Sequence, residues 1–352
     1  MSIYKSKTYI ADIDQVIDQN VSVLSLFRNT TVLITGASGL ICSAVIDIFF
    51  RLNERLQYNV DIYLAGRNES KIKERFSKYC DSKFFHYVNY DATRTNCFAF
   101  NVDYIIHAAS NAYPSLYQKY PVETMLDNFS ALNELLVYAL KCSVKRLLFI
   151  SSSEIYGTKQ TELPYKENDY GYIDVLSTKA SYSISKRAAE TLCACFSKEY
   201  GVDTVIVRPG HIYGPTASRK DTRVSSQFVF SAADGKDIIL KSDGKQIRSY
   251  CYMLDSAMAI LTVLNRGEIG GAYNISNPNS IISIGKMAEI CAQYSNVKLI
   301  YNNPSAEEKE KFNPMNNSSL DGDKLISLGW KGQFDAVTGF SHSIKIIKES
   351  GI

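Results

Sequence analysis

From Asn29 onward the chain alternates short β-branched or aromatic runs with longer stretches in which apolar residues recur every three or four positions. Short apolar runs bounded by turn residues read as strands, and the three/four spacing reads as one face of a helix. "TTVLITG" (30–36), "VDIYLAG" (60–66), "VDYIIHAAS" (102–110), "VKRLLFISS" (144–152) and "VDTVIVRPG" (202–210) are the candidate strands. Between them, "LICSAVIDIFFRLNERL" (40–56), "SALNELLVYALK" (130–141) and "SISKRAAETLCACFSKEY" (183–200) carry the helical spacing. Strands alternating with helices signal a parallel sheet covered on both faces, so the pattern predicts an α/β protein with a doubly wound sheet.

Beyond residue 210 the alternation loosens. "ASRKDTRVSS" (217–226) and "NNPSAEEKEKFNPMNNSS" (302–319) read as loops, and "AYNISNPNSIISIGKMAEICAQ" (272–293) as a strand followed by a helix. The expected organisation is a helical extension over 1–28 and a dinucleotide-binding domain over 29–210 to which 250–272 returns. A smaller substrate-binding lobe is then built from 211–249 and 273–352. The amphipathic stretch "IADIDQVIDQNVSVLSLF" (10–27) packs on the sheet or on a second subunit.

Composition narrows the class. The 352 residues are 45% hydrophobic and 21% charged, as in a globular protein with a sizeable core. A formal charge of +3 gives no footprint for nucleic acid or a membrane surface. The N-terminus reads as neither a signal nor a transit peptide, and no apolar run approaches the roughly 18 residues of a membrane span. Eight scattered cysteines with no C-x-x-C pair, and only four histidines, point to reduced thiols and no metal site. The expectation is a cytoplasmic protein.

"ITGASGLIC" (34–42) leaves a strand and opens a helix, the setting in which a glycine-rich turn binds a dinucleotide in a Rossmann-type fold. Gly36 permits the tight turn, and Gly39 lets the backbone approach a pyrophosphate at the helix N-terminus, with Ser38, Leu40 and Ile41 alongside. Cys42 stands where a third small residue packs helix on strand. The second strand ends in Ala65, Gly66, Arg67 and Asn68, with no carboxylate for ribose hydroxyls. Arg67 suits a 2′-phosphate, which favours NADP(H) over NAD(H); the alternative is a solvated arginine.

Tyr182 and Lys186 are four residues apart and share a helix face. A hydroxyl cluster, "FISSSEIYG" (149–157), ends a strand at the sheet edge where ligands sit in doubly wound folds. A phenol with a free pKa near 10 needs a neighbouring ammonium and a positive nicotinamide to act as a base near neutrality. Tyr182 would exchange the proton of a sugar carbinol, Lys186 would stabilise the phenolate, and Ser152 would hold the reacting oxygen.

With these motifs the chain resembles the extended short-chain dehydrogenase/reductase family, in its nucleotide-sugar epimerase, dehydratase, decarboxylase and reductase group. The likeness runs from about residue 30 to 348. It rests on "TGASGLI", "YDAT" with Asp91 and Ala92, "HAAS" with Ala108, Ala109 and Ser110, Asn128, "SSSEIYG", "YSISK", "RPGHIYGP" with Pro209, "RSYCYMLD" and "LGW". The resemblance implies that Ser152, Tyr182 and Lys186 are catalytic and that Asp91 contacts the adenine. It also implies that Ser110, Asn128, Ser153, His211 and Arg248 face a nucleoside-diphosphate sugar, Arg248 on its diphosphate. His211 departs from the asparagine of many relatives. Ser153 and Glu154 stand where glucose-type 4,6-dehydratases carry an acid and base pair, so Glu154 is either a base or an orienting group.

Two kinds of enzyme fit. The favoured one is an NADPH-dependent reduction of a keto group on a nucleotide-linked sugar or ketose, possible in an alditol-forming version, for surface polysaccharide or capsule synthesis. The other is a 4-epimerase, 4,6-dehydratase or decarboxylase that returns the hydride to its substrate and keeps its cofactor. A dinucleotide sensor without catalysis is the third, remote class. A homodimer through "SALNELLVYAL" and "SKRAAETLCACF" is expected, unless those faces simply pack on the sheet.

Overall fold

A computed structural model describes residues 2–110, 114–302 and 315–352. Two short helices, α1 (Lys7–Gln19) and α2 (Val21–Leu24), precede β1 (Thr31–Thr35). Then follow α3 (Leu40–Leu56), β2 (Asp61–Gly66), α4 (Glu69–Arg75), β3 (Phe85–Asn89), β4 (Tyr104–His107), α5 (Pro114–Lys119) and α6 (Pro121–Lys141). The second half of the wound unit is β5 (Arg146–Ile150), α7 (Ser181–Tyr200) and β6 (Thr204–Pro209). The remainder is β7 (His211–Tyr213), α8 (Val224–Ala233), β8 (Ile238–Leu240), β9 (Ile247–Tyr252), α9 (Met253–Arg266), β10 (Ala272–Ile275), β11 (Ile281–Ser283), α10 (Ile284–Ser295) and β12 (Leu299–Tyr301). Two more helices, Asp323–Ser327 and Ala336–Ser350, close the described chain.

Seven strands form one parallel sheet in the order β10-β6-β5-β4-β1-β2-β3. The order reverses between β1 and β4, where Thr35 lies opposite His107. The five expected strands are β1, β2, β4, β5 and β6; most are buried on both faces, which is why they read as near-continuous apolar runs. β3, "FHYVN", has no such run because it is a half-buried edge strand with β2 as its one neighbour. The segment that returns to the sheet runs on past residue 272, since β10 pairs with β6 from Ala272 to Ile275. A three-stranded sheet, β11-β9-β7, and the β12-β8 pair lie apart from the large sheet. The stretch 217–226 is a loop only as far as Arg223, where α8 begins; within 302–319, residues 303–314 lie outside the described residues.

Most apolar positions of the helices expected to make a dimer are buried inside the fold. Leu132, Leu135, Leu136 and Ala139 of α6, with Ala189, Cys193 and Phe196 of α7, are buried in one cluster with Ile105, Leu147 and Phe149 of the sheet. α6 leaves exposed a stripe nearer its N-terminus, Val122, Met125, Leu126 and Phe129, and Leu140 at its other end. On the other face, α9 is buried at every position from Met253 to Leu264, as a helix apolar all round must be.

The N-terminal extension packs on this chain, on α3, α9 and the closing helix. Asp47, fully buried in α3, holds it there. Its carboxylate accepts the Tyr4 hydroxyl at 2.6 Å, the Tyr9 hydroxyl at 2.5 Å and the Arg75 guanidinium at 2.5 Å. At the start of α1, Glu349 of the closing helix accepts Ser6 Oγ at 2.5 Å, the Thr8 amide at 3.2 Å and Thr8 Oγ1 at 2.9 Å. Removing Asp47 would strand a largely buried cation and two buried phenols. Asp47→Ala is therefore expected to destabilise the fold by about 3–5 kcal/mol, against about 1 kcal/mol for Tyr9→Phe, measured as shifts of the urea midpoint.

Candidate active site

Because the sheet is parallel and reverses between β1 and β4, the loops after both strands open a crevice at its carboxyl edge. The turn from β1 into α3 forms its floor. Gly36 sits at φ +70°, and a Cβ there would meet Ala108 C at 3.1 Å, so the loops after β1 and β4 touch backbone to backbone only because residue 36 is glycine. Thr35 fastens them: its Oγ1 accepts the Ala108 and Ala109 amides at 3.1 and 3.2 Å and lies 2.8 Å from His107 Nδ1. The hydroxyl proton thus goes to Nδ1, leaving the other ring nitrogen protonated. His107 is buried beside Lys186, which drops it to about 3 and keeps it neutral. Cys42 preserves the turn; its buried thiol points back at the Thr35 carbonyl, 3.7 Å away, and burial pushes it up to about 12.

A cleft of about 450 Å³ opens here. Gly36, Ser38, Gly39, Leu40, Arg67, Asp91, Ala92, Ala108, Ala109 and Ser110 all line it. Ile41 packs against the core behind the turn. Asn68 caps α4, accepting the Lys71 amide at 2.9 Å, and Pro209 is buried at the end of β6 opposite Ile275. Sequence reading missed four cations and hydroxyls on the cleft wall: Lys71, in the first turn of α4; Arg75; Thr216; and Arg223. Arg223 is oriented by a fully buried carboxylate, Asp221, at 2.6 Å, and it comes from a stretch whose local pattern says only loop. The anion-binding elements of a dinucleotide site are therefore present: amides at the N-terminus of α3 for a pyrophosphate, and Arg67 with Lys71 at the end of β2.

Tyr182, Lys186 and Ser152 converge at the next strand end. Both α7 residues are buried, and Lys186 Nζ donates to the Ile150 carbonyl at 2.9 Å, 4.6 Å above the Phe149 ring. Burial pulls this ammonium down to about 7. Burial pushes Tyr182 up to about 12, against a hydrogen bond from Ser152 and the charge of Arg223, while Glu154 pushes it further up. Ser152 Oγ accepts the Glu154 amide at 3.2 Å, which leaves its proton for the phenol or for a ligand oxygen. Tyr117 of α5, unmarked in the sequence, stacks on Tyr182 with centroids 5.1 Å apart and planes 12° apart.

The other wall carries the expected substrate contacts. Ser153 and Glu154 begin the short 3₁₀ turn after Ser152. Glu154 keeps part of its surface exposed yet is ringed by protein, so lost hydration raises its carboxyl above the ordinary range while Arg248 pulls it down. Arg248 is buried, tied to the Ile247 and Met315 carbonyls at 2.8 and 3.1 Å. His211 stands near Arg248 and Arg223; burial and these charges drop it to about 3, so it is neutral, and its Nδ1 has no partner among the described residues. Asn128 is buried in α6; its amide donates to the Thr124 carbonyl and Ser185 Oγ, and its Oδ1 is unpaired among the described residues. No cluster of metal-ligating side chains occurs among the described residues.

The sequence and the fold are similar to those of known proteins. UDP-glucuronic acid decarboxylase 5 of Arabidopsis thaliana is 28% identical over 287 residues, covering 80% of this chain and 81% of that protein. An epimerase of Methanothermobacter thermautotrophicus matches the fold with a TM-score of 0.80 at 18% identity, covering 95% of this chain and 97% of its own. A UDP-glucose 4-epimerase of Thermotoga maritima, solved with UDP-glucose, gives 0.76 at 19% identity, covering 92% and 100%. The NAD dependent epimerase/dehydratase family model matches residues 32–276, the stretch that holds the glycine turn, the Ser152 turn and the Tyr182–Lys186 helix. The chain is a member of that family, within the extended short-chain dehydrogenase/reductase enzymes.

Proposed function

We propose that this enzyme carries out a redox-neutral reaction on a nucleoside-diphosphate sugar, namely decarboxylation of a nucleoside-diphosphate hexuronate, with NADP(H) kept through the cycle. The observation that carries this reading is the placement of Glu154 near Tyr182 and within the field of the buried Arg248, with Ser153 where a second acid would stand. That set offers a cation for a carboxylate and one protonatable group, and it lacks the acid and base pair that expels a C6 hydroxyl. The decarboxylase relative supports the same class. Net reduction, which Arg67 favours in the sequence, gives Glu154 no acid or base role.

When bound, the nicotinamide supplies a hydride acceptor at the start and a donor at the end. Tyr182 takes the C4 hydroxyl proton as C4 is oxidised, and Lys186 and Arg223 favour the phenolate electrostatically. The C4 ketone is β to the C6 carboxylate, so the C5–C6 bond breaks with its electron pair flowing to the C4 oxygen. Ser152 and Tyr182 hydrogen-bond that enolate oxygen. C5 takes a proton, for which Glu154, with its raised carboxyl, is the candidate donor, and carbon dioxide leaves. We further infer that Arg67 and Lys71 hold the 2′-phosphate of NADP(H), that the elements after residue 210 outside the large sheet hold the nucleotide, and that Val122, Met125, Leu126 and Phe129 form the homodimer contact.

Three outcomes are expected. Denaturing the purified protein should release NADP⁺, identified by mass spectrometry; Arg67→Ala with Lys71→Ala should weaken NADP⁺ relative to NAD⁺ by about tenfold or more. The holoenzyme should convert UDP-glucuronic acid to a product lighter by carbon dioxide without net NADPH consumption, and Tyr182→Phe should lower kcat by about 10²–10⁴-fold. Stoichiometric oxidation of NADPH by a keto-sugar nucleotide would overturn the reading. Sedimentation velocity should find a dimer that Leu126→Arg converts to monomer.

A further inference from the structure

The residue after Lys186 faces away from the proposed chemistry yet reaches the same turn. Arg187 Nε donates to the Ile155 carbonyl at 2.6 Å, and one terminal nitrogen donates to the Tyr156 and Gly171 carbonyls at 3.3 and 3.0 Å. These carbonyls belong to two strands of chain that meet as a neck. Thr158 and Tyr172 form an antiparallel bridge, and the Gly171 amide donates to the Tyr156 carbonyl at 2.8 Å. The neck closes only with glycine on both sides. A Cβ on Gly157, itself at φ +65°, would lie 2.3 Å from the Tyr172 oxygen, and one on Gly171 would lie 2.4 Å from the Thr158 oxygen.

We propose that Arg187 is a positioning residue that clamps this neck to α7 and so sets where Ser152 and Glu154 stand relative to Tyr182. The clamp and the Tyr182–Lys186 pair share one helix, while Ser152 and Glu154 head the 3₁₀ turn that ends at Tyr156. Arg208 braces the turn from the sheet: it pairs with Glu190 of α7 at 2.6 Å and donates to the Tyr156 hydroxyl at 3.0 Å, which in turn donates to Asn274 at 2.5 Å. Arg187 alone of the two arginines reaches both sides of the neck. A lysine, with a compact ammonium in place of a planar fork, cannot span all three carbonyls and would restore only part of the clamp.

The inference rests on the proposed role of Tyr182, and the test separates the two. Arg187→Gln and Arg187→Lys holoenzymes would be compared with wild type by kcat and KM for UDP-glucuronic acid across pH, by NADP⁺ retention, and by hydrogen exchange. Arg187→Gln should lower kcat on the order of 100-fold with KM and NADP⁺ retention nearly unchanged, as for a small misplacement of reacting groups. The acid limb of its kcat profile should move to higher pH, because the Ser152 hydrogen bond that favours the phenolate is loosened; Arg187→Lys should fall between. Amides of 152–158 and 171–172 should exchange faster while those of β1 and β4 do not. An unchanged kcat, or a lost rate with an unmoved limb, overturns the proposal. If wild type leaves UDP-glucuronic acid untouched, the proposed function falls, and the exchange data, which need no substrate, decide the clamp: unchanged exchange at the neck overturns it.

Discussion

A parallel sheet points every strand end the same way, and this constraint organises the rest of the molecule. Carbonyl ends, loop amides and helix N-termini collect along one edge, and the reversal between β1 and β4 opens that edge into a crevice. The contact of Gly36 with Ala108 and the Thr35 hydroxyl that fastens both loops are local solutions to the resulting crowding. One strand further along, the same edge delivers Ser152 beside Tyr182.

The site's electrostatics follow from taking charge out of water. Lys186 is held by one carbonyl over the Phe149 and Tyr182 rings, and burial outweighs the pull of Glu190, bringing its proton within reach of neutral pH. His107 and His211 are neutral for the same reason, each beside a cation. An anionic cofactor and an anionic substrate would enter a region whose cations, Arg67, Lys71, Arg223, Lys186 and Arg248, outnumber its carboxylates, and their phosphates would replace the hydration these groups lose.

The fold is legible where burial is two-sided. β1, β2, β4, β5 and β6 announce themselves as apolar runs, and the Gly36 and Ser152 turns lie where each run stops. β3 escapes because an edge strand half open to water has no reason to be apolar. α6 and α7 are ambiguous because burial against the sheet and burial against another subunit write the same apolar spacing. At the site, residues that sit on a strand end or helix face are found by spacing, including Tyr182 and Lys186. Arg223 and Tyr117 are not, since only the path of the chain brings them in; Lys71 was within reach, in the first turn of the helix that follows Arg67.

The Glu349 contact with Ser6 and Thr8 joins positions near the two ends of the chain, 343 residues apart for the serine. During synthesis the first helix emerges long before the carboxylate that satisfies its N-terminal amide. The extension therefore stays docked on α3 through Asp47 but open at its start until Glu349 has been made and its helix has packed. That contact can form only after residues 8–348 have been made, an order imposed by which segment holds the capping group.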